Sequence, residues 1–142
     1  MDPTTTPDLL TAEQRKQLLV NGAARNDDPE RDFVPLVLIT VPGTHIRWLI
    51  AAIDPEEPDV AWGVGDLGLG AVEVGTVYLT QLFKPPAAHL KVVNTPNFVG
   101  QYTTSEYARR GKLMGGLEDV VDTPASLAGT DPWEHNDTPA AD

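Results

Sequence analysis

The sequence predicts a single α+β domain, in which a mostly antiparallel sheet of about five strands is accompanied by an N-terminal helix and a short C-terminal helix. The chain has 142 residues, which is enough for one core and too few for two ordinary domains. Between Val34 and Val93, β-branched segments alternate with short turns rich in Pro and Gly. These turns are too short for crossover helices between parallel strands, so we expect antiparallel pairing with helices packed on one side.

The predicted elements begin after a flexible arm of residues 1–9. Thr11 is the expected N-cap of the first helix, with Gln14 completing a capping box and Gly22 as a left-handed stop. The helix carries a narrow apolar stripe, so it must dock on another part of the protein to persist. The expected strands follow at Val34–Val41, Thr44–Ile53, Val60–Val64, Val72–Leu82 and Leu90–Val93.

Alternation divides the residues of the second strand between two faces. One face is Ile46, Trp48, Ile50 and Ala52; the other is His45, Arg47, Leu49, Ala51 and Ile53.

The C-terminal third is expected to hold one more helix and then a tail. Thr103 and Glu106 have capping-box spacing, and the predicted buried members of the helix are Tyr107, Leu113 and Met114. The domain is therefore expected to span residues 10–114. From Gly115 the composition shifts to Gly, Pro, Ser, Thr and acids, which predicts an acidic, disordered tail over residues 115–142.

The net charge of −11 limits the classes of molecule that the protein is expected to bind. Phosphate neutralisation needs a Lys/Arg surface, so direct nucleic-acid binding is not expected. An acidic surface serves solubility in most proteins, and it also fits a protein partner with a basic surface. The tail residues that are candidates for partner binding are Glu118, Asp119, Asp122, Asp131, Trp133 and Glu134.

The apolar runs are far below transmembrane length, and the polar, proline-broken start does not resemble a signal peptide. We therefore expect a cytoplasmic protein that meets no membrane. The absence of cysteine excludes disulfides and thiol nucleophiles. No cofactor is expected.

A glycine-rich stretch spells the dinucleotide-binding pattern at Gly63, Gly65 and Gly68. That site requires a helix to open at the glycines, and here a strand-like segment follows Gly70 instead. Asp66 would also repel the phosphates. Gly63, Gly65, Gly68 and Gly70 are therefore interpreted as structural bends.

Four acids are candidates for a metal site or a partner contact: Asp54, Asp59, Asp66 and Glu73. Converging carboxylates hold Mg²⁺ or Ca²⁺, and Asp59, Asp66 and Glu73 are the set that a metal-dependent hydrolase or nuclease would use. The lysine expected two positions after Glu73 is Gly75, which leaves that motif incomplete. Asp66 has a second interpretation, as an acceptor for turn N–H groups around Gly68. No residue is assigned a catalytic role.

The core block IDPEEPDVAWGVGDLGLGAVEVGTVYL, with LTAEQRKQLLVNG before it and SEYARRG after it, resembles an uncharacterised bacterial family, domain of unknown function 2958. Residues 84–101 depart from the family pattern. The resemblance implies a small cytoplasmic accessory protein of plasmids and integrative elements, near conjugation and anti-defence genes. It names no substrate.

These observations predict a non-catalytic acidic accessory protein that acts by protein–protein interaction. Two alternatives stay open: the metal-dependent hydrolase, and a structural or virion-associated component.

Overall fold

The computed structural model describes residues 9–68 and 71–122. Its elements are α1 (Ala12–Asp27), β1 (Val37–Thr40), β2 (Arg47–Ile53), β3 (Val60–Asp66), β4 (Val72–Tyr78), α2 (Leu79–Leu82), β5 (Val93–Asn94), α3 (Thr104–Met114) and α4 (Glu118–Val121). The five strands form one antiparallel sheet in the order β4-β3-β2-β1-β5. The predicted α+β class is confirmed. None of the described helices is long and apolar enough to cross a membrane.

Helices cover both faces of the sheet, so the expectation of helices on one side is wrong. Neighbouring residues Leu49 and Ile50 on β2 point to opposite faces. Ile50 lies in a core with Leu18 of α1, whereas Leu49 lies in a second core with Tyr107 of α3. Because β2 is apolar on both faces, each face needs its own cover.

The first helix begins as predicted and ends later than predicted. The Thr11 hydroxyl accepts a hydrogen bond from the Gln14 N–H, and the Gln14 side chain accepts one from the Thr11 N–H, both at 3.0 Å. Gly22 does not end the helix, which continues to Asp27. A Cβ at Gly22 would lie 1.7 Å from the carbonyl oxygen of Ile53, so this glycine permits the close approach of α1 to β2.

All five strands differ from their predicted bounds. β1, β2 and β5 each start three positions later than expected, β3 runs two residues further to Asp66, and β4 gives way to α2 after Tyr78. The register of β2 against β3 shifts between Ile50 and Ala52, as at a β-bulge. Ile53 therefore joins Ile50 in the α1 core, where strict alternation placed the two on opposite faces.

The C-terminal part is folded further than predicted. The Thr103 hydroxyl accepts from the Glu106 N–H at 3.4 Å, and Gly115 ends α3 in the left-handed region with φ of 82°. Tyr107 is buried as predicted, whereas Leu113 is 54% exposed. Residues 115–122, expected to be a disordered tail, include α4. The physical reason is Leu117, which is fully buried in the α3 core.

Candidate functional site

A buried arginine organises one end of the sheet. Arg47, at the start of β2, is only 7% exposed. Its guanidinium donates to two backbone carbonyls, those of Thr44 at 2.9 Å and Ile46 at 2.8 Å. It also donates to Asp122 through Nε at 3.1 Å and Nη2 at 2.8 Å, and to Glu118 at 3.3 Å. The hydrogen bond to Asp122 raises the pKa of Arg47 most, with smaller effects of nearby acids. Arg47 thereby fixes α4 to the sheet.

Asp66 lies opposite Arg47 in the β2–β3 register and is only 2% exposed. Its Oδ1 accepts from the Gly68 N–H and its Oδ2 from the Leu117 N–H, both at 2.8 Å. Both carboxylate oxygens of this buried group are therefore satisfied by backbone donors. One bond closes the turn after β3, and the other positions the residue that leads into α4.

His45 completes what we call the charged cluster: His45, Arg47, Asp66, Glu118 and Asp122. The His45 ring is exposed, and its Nδ1 lies 2.5 Å from Oε1 of Glu118, whose other oxygen binds Arg47. Glu118 thus bridges a surface histidine and a buried arginine. Three carboxylates surround one buried cation, and the arrangement holds α4 in place through internal ion pairs.

Two other candidate acids have structural partners elsewhere. Asp54 follows β2, and its Oδ1 accepts from Asn26 at 3.1 Å and from the Glu56 N–H at 2.9 Å. The backbone hydrogen bond from Glu56 is the main cause that lowers the pKa of Asp54. Asp59 accepts from both the N–H and the hydroxyl of Thr80 at 2.9 Å, which secures the first turn of α2.

The structure does not bring Asp59, Asp66 and Glu73 together. Asp59 precedes β3 and Asp66 ends it, so a seven-residue strand of roughly 20 Å separates them. Glu73 is exposed on β4, opposite Gly65. Across residues 9–68 and 71–122, no three His, Asp or Glu side chains are placed to hold a metal ion. These three carboxylates therefore do not converge in one place in the structure.

The glycine pattern lies within and after β3, and β4 follows it where a dinucleotide site needs a helix. A Cβ at Gly63 would lie 1.9 Å from the Leu49 carbonyl oxygen, and one at Gly65 would lie 2.6 Å from the Trp48 ring. Gly68 has a φ of 85°, which favours glycine in the turn. Gly70 lies outside the described residues.

The tail candidates divide into two groups. Glu118 and Asp119 begin α4 and Asp122 follows it, so these three belong to the folded domain, and two of them bind Arg47. Asp131, Trp133 and Glu134 lie outside the described residues.

Sequence reasoning missed two features. Arg47 was placed on a strand face without a role; the available signal was a lone base on a strand that is otherwise apolar. A small cleft of about 90 Å³ also lies between α1 and the sheet, lined in part by Arg25, Asn26 and Trp62. The Arg25 guanidinium stacks 4.6 Å from the centre of the Trp62 ring, and its buried Nε has no hydrogen-bond partner among the described residues.

A five-stranded antiparallel sheet with helices on both faces, closed at one end by the charged cluster, defines a small acidic α+β domain. Residues 9–118 match the family model described as Protein of unknown function (DUF2958). The chain belongs to this family, which confirms the resemblance found in its sequence. No curated protein and no solved structure matches the chain.

Proposed function

We propose that this protein is a non-catalytic accessory protein that engages a basic surface on a partner protein. The observation that carries the proposal is the distribution of charge along the sheet. From Trp48 to Phe83 the sequence contains six acids and no Lys, Arg or His. This segment includes β3 and β4, so neither strand carries a basic residue.

The acids of this segment fall into two groups with different roles. Asp54, Asp59 and Asp66 accept the internal hydrogen bonds described above. The remaining acids are exposed, and their carboxylates make no hydrogen bond or ion pair with any residue in the described parts of the chain. We call this second group the acidic edge: Glu56, Glu57 and Glu73.

The acidic edge is spread out. Glu57 precedes β3, and Glu73 lies opposite Gly65 near the end of that strand, roughly 17 Å further along. Such a span exceeds the coordination sphere of one ion and suits contact with another macromolecule.

Lys/Arg surfaces of this extent are characteristic of proteins that handle DNA. We therefore propose that the partner is a DNA-handling or defence protein. The acidic edge would bind the basic surface of this partner in the way that DNA binds it. The setting implied by the family resemblance, the bacterial cytoplasm and a mobile genetic element, supports this class of partner.

The test is whether the tagged protein recovers a partner from host cells. Wild type is compared with two triple variants, each of which removes three negative charges. Glu56→Gln/Glu57→Gln/Glu73→Gln neutralises the acidic edge. Glu13→Gln/Asp27→Asn/Glu30→Gln neutralises three exposed acids at α1 and the loop after it. We expect a specific partner that is released as salt rises, lost with the first variant and kept with the second. Equal recovery by both variants, or no specific salt-sensitive partner, would overturn the proposal.

A further inference from the structure

β4 is the outer strand of the sheet, and its edge is open among the described residues. It pairs with β3 over all seven positions from Val72 to Tyr78 without a register shift. Natural edge strands are commonly protected by charged side chains, above all lysine, or by proline, a bulge or short length. β4 has seven residues with no lysine, proline or bulge, and its one charge is Glu73, whereas β5 at the opposite edge has only two residues. An open, regular edge of this length is a site for strand addition.

The outward-facing main-chain groups of β4 follow from one hydrogen bond. The Leu79 N–H donates to the Asp59 carbonyl at 2.7 Å, just beyond the β3–β4 ladder. Antiparallel ladders alternate bonded and non-bonded pairs, so every second residue from Leu79 bonds to β3. The residues between them direct both N–H and C=O away from β3: Val72, Val74, Thr76 and Tyr78.

We propose that β4 pairs antiparallel with β4 of a second copy of this chain, about a two-fold axis at Gly75. In this register Val72 bonds to Tyr78 of the second copy, and Val74 bonds to Thr76. Every outward N–H of both strands then has an acceptor, and the Tyr78 C=O, which as N-cap also accepts the first bond of α2, is shared. Pairing about Val74 or Thr76 leaves outward groups at one end of each strand unpaired, so the edge is self-complementary in one register.

The side chains fit the same register. Val74 is 42% exposed and Tyr78 is 50% exposed. They would lie beside Thr76 and Val72 of the second copy, where cross-strand pairs stabilise a sheet. A Cβ at Gly75 would meet nothing within 4 Å, so the axis position is open.

The charges are compatible with a second copy. Glu73 is the one charged residue of β4, and it would face Val77 of the second copy. The two Glu73 carboxylates would be four positions apart, about 13 Å, beyond a Debye length of about 8 Å at physiological salt. Each chain nevertheless carries a net charge of −11, so added salt should strengthen the dimer. An interface formed by one pair of strands belongs to the smallest size class, so we expect a dissociation constant in the micromolar range.

Sedimentation equilibrium of the full chain over about 1 to 300 µM, at two salt concentrations, measures this association. Thr76→Pro removes an outward N–H and leaves the bonds to β3 in place. We expect wild type to dimerise, more tightly at high salt, and Thr76→Pro to stay monomeric with an unchanged circular dichroism spectrum. Should Thr76→Pro fail to fold, Val74→Asp serves as the edge variant, with Val20→Asp on α1 as its matched control.

The register is tested by cross-linking, since the chain has no cysteine. Gly75→Cys places two thiols at the axis, where non-bonded pairs have Cα atoms about 4.5 Å apart, within the range of a disulfide. Oxidation should give a covalent dimer with Gly75→Cys and little with Glu73→Cys or Val20→Cys. A wild-type monomer throughout, a dimer that survives both Thr76→Pro and Val74→Asp, or equal cross-linking at all three cysteines would overturn the proposal. Association with a basic partner through the acidic edge is measured separately, so either proposal can fail alone.

Discussion

Arg47 at the start of β2 and Asp122 after α4 are joined by two hydrogen bonds, of 3.1 and 2.8 Å, across 75 residues of sequence. The paired geometry matches the planar guanidinium to the carboxylate. This pair therefore fixes the segment that follows α4 to the central strand of the sheet.

Loss of this arginine should destabilise the fold. In Arg47→Ala, two acids and two backbone carbonyls lose their shared donor. Because the Asp122 side chain is 45% exposed, water compensates in part, and we expect about 2 kcal/mol lower unfolding free energy. Urea denaturation followed by circular dichroism measures this. The control is Lys84→Ala, which removes the same charge at an exposed site and should change stability by less than about 0.5 kcal/mol. Equal effects of the two substitutions would contradict the role given to Arg47.

Leu117 should be a core residue of the domain. It is 0% exposed, whereas Leu113 on the preceding helix is 54% exposed. Leu117→Ala is expected to cost about 3 kcal/mol, because it leaves a cavity beneath α4, and Leu113→Ala well under about 1 kcal/mol. Thermal and urea unfolding of the pair provide the comparison. Similar melting temperatures for the two variants would mean that residues 115–122 do not pack as described.

Asp66 should act through its two backbone hydrogen bonds. Asp66→Asn preserves the shape but replaces one accepting oxygen with an NH₂ group, so either the N–H of Gly68 or the buried N–H of Leu117 loses its acceptor. We expect a loss of about 1 to 3 kcal/mol. Asp59→Asn, at an exposed helix start, should cost less. Stabilisation of wild type by millimolar Mg²⁺ or Mn²⁺ that disappears in Asp66→Asn would instead indicate an ion at this residue.

Gly22 should not tolerate a methyl group. A Cβ there would lie 1.7 Å from a backbone carbonyl oxygen, which no side-chain rotation can relieve. Gly22→Ala is therefore expected to lower unfolding free energy by at least about 3 kcal/mol, although alanine is the better helix former. Gly75→Ala, where the added methyl meets open space, should be nearly neutral. Denaturation at low protein concentration keeps any association out of the measurement.

Glu106 should contribute stability that depends on pH. Hydrogen bonds from Arg109 and Arg110 lower the pKa of Glu106 from 4.5 to about 2. A lowered pKa in the folded state stabilises the fold above the unfolded value, and this contribution is lost as pH falls from about 4.5 to about 2. Because Glu106 is partly exposed, we expect about 1 kcal/mol at neutral pH.

The measurement is the stability difference between wild type and Glu106→Gln at neutral pH and at pH values down to about 2. The difference should shrink towards zero in acid. A difference that is constant with pH would show that the charge of Glu106 does not contribute.

How far the sequence predicts this fold depends on how local the determinants are. The capping residues Thr11 and Thr103 act within one helical turn, so both helix starts were predicted correctly. Gly22 does not end the helix, although the local rule for glycine predicts that it does. Glycine is needed at this position because α1 lies in close contact with β2. The β2 irregularity after Ile50 depends on the partner strand, and alternation alone does not reveal it.

In the candidate site, too, the sequence predicts contacts between neighbouring residues and does not predict contacts between distant ones. The sequence predicts Asp66 as an acceptor for turn N–H groups around Gly68, and this hydrogen bond joins residues only two positions apart. The partners of Arg47 are 71 and 75 residues distant, and the low-complexity composition after Gly115 pointed away from them. Only the burial of Leu117 reveals why that segment folds.

The described cover of the second sheet face, α3 and α4, follows every strand in sequence, so it leaves the ribosome after the sheet does. Until those residues are synthesised, a nascent chain can assemble α1 on the sheet but leaves Leu49 and Val64 facing water. Translation that stalls before Leu117 would therefore produce a half-covered sheet, a species prone to aggregation and to capture by chaperones. The acidic partners of Arg47 also lie in this late segment, so its full set of ion pairs forms only after residue 122 has been synthesised.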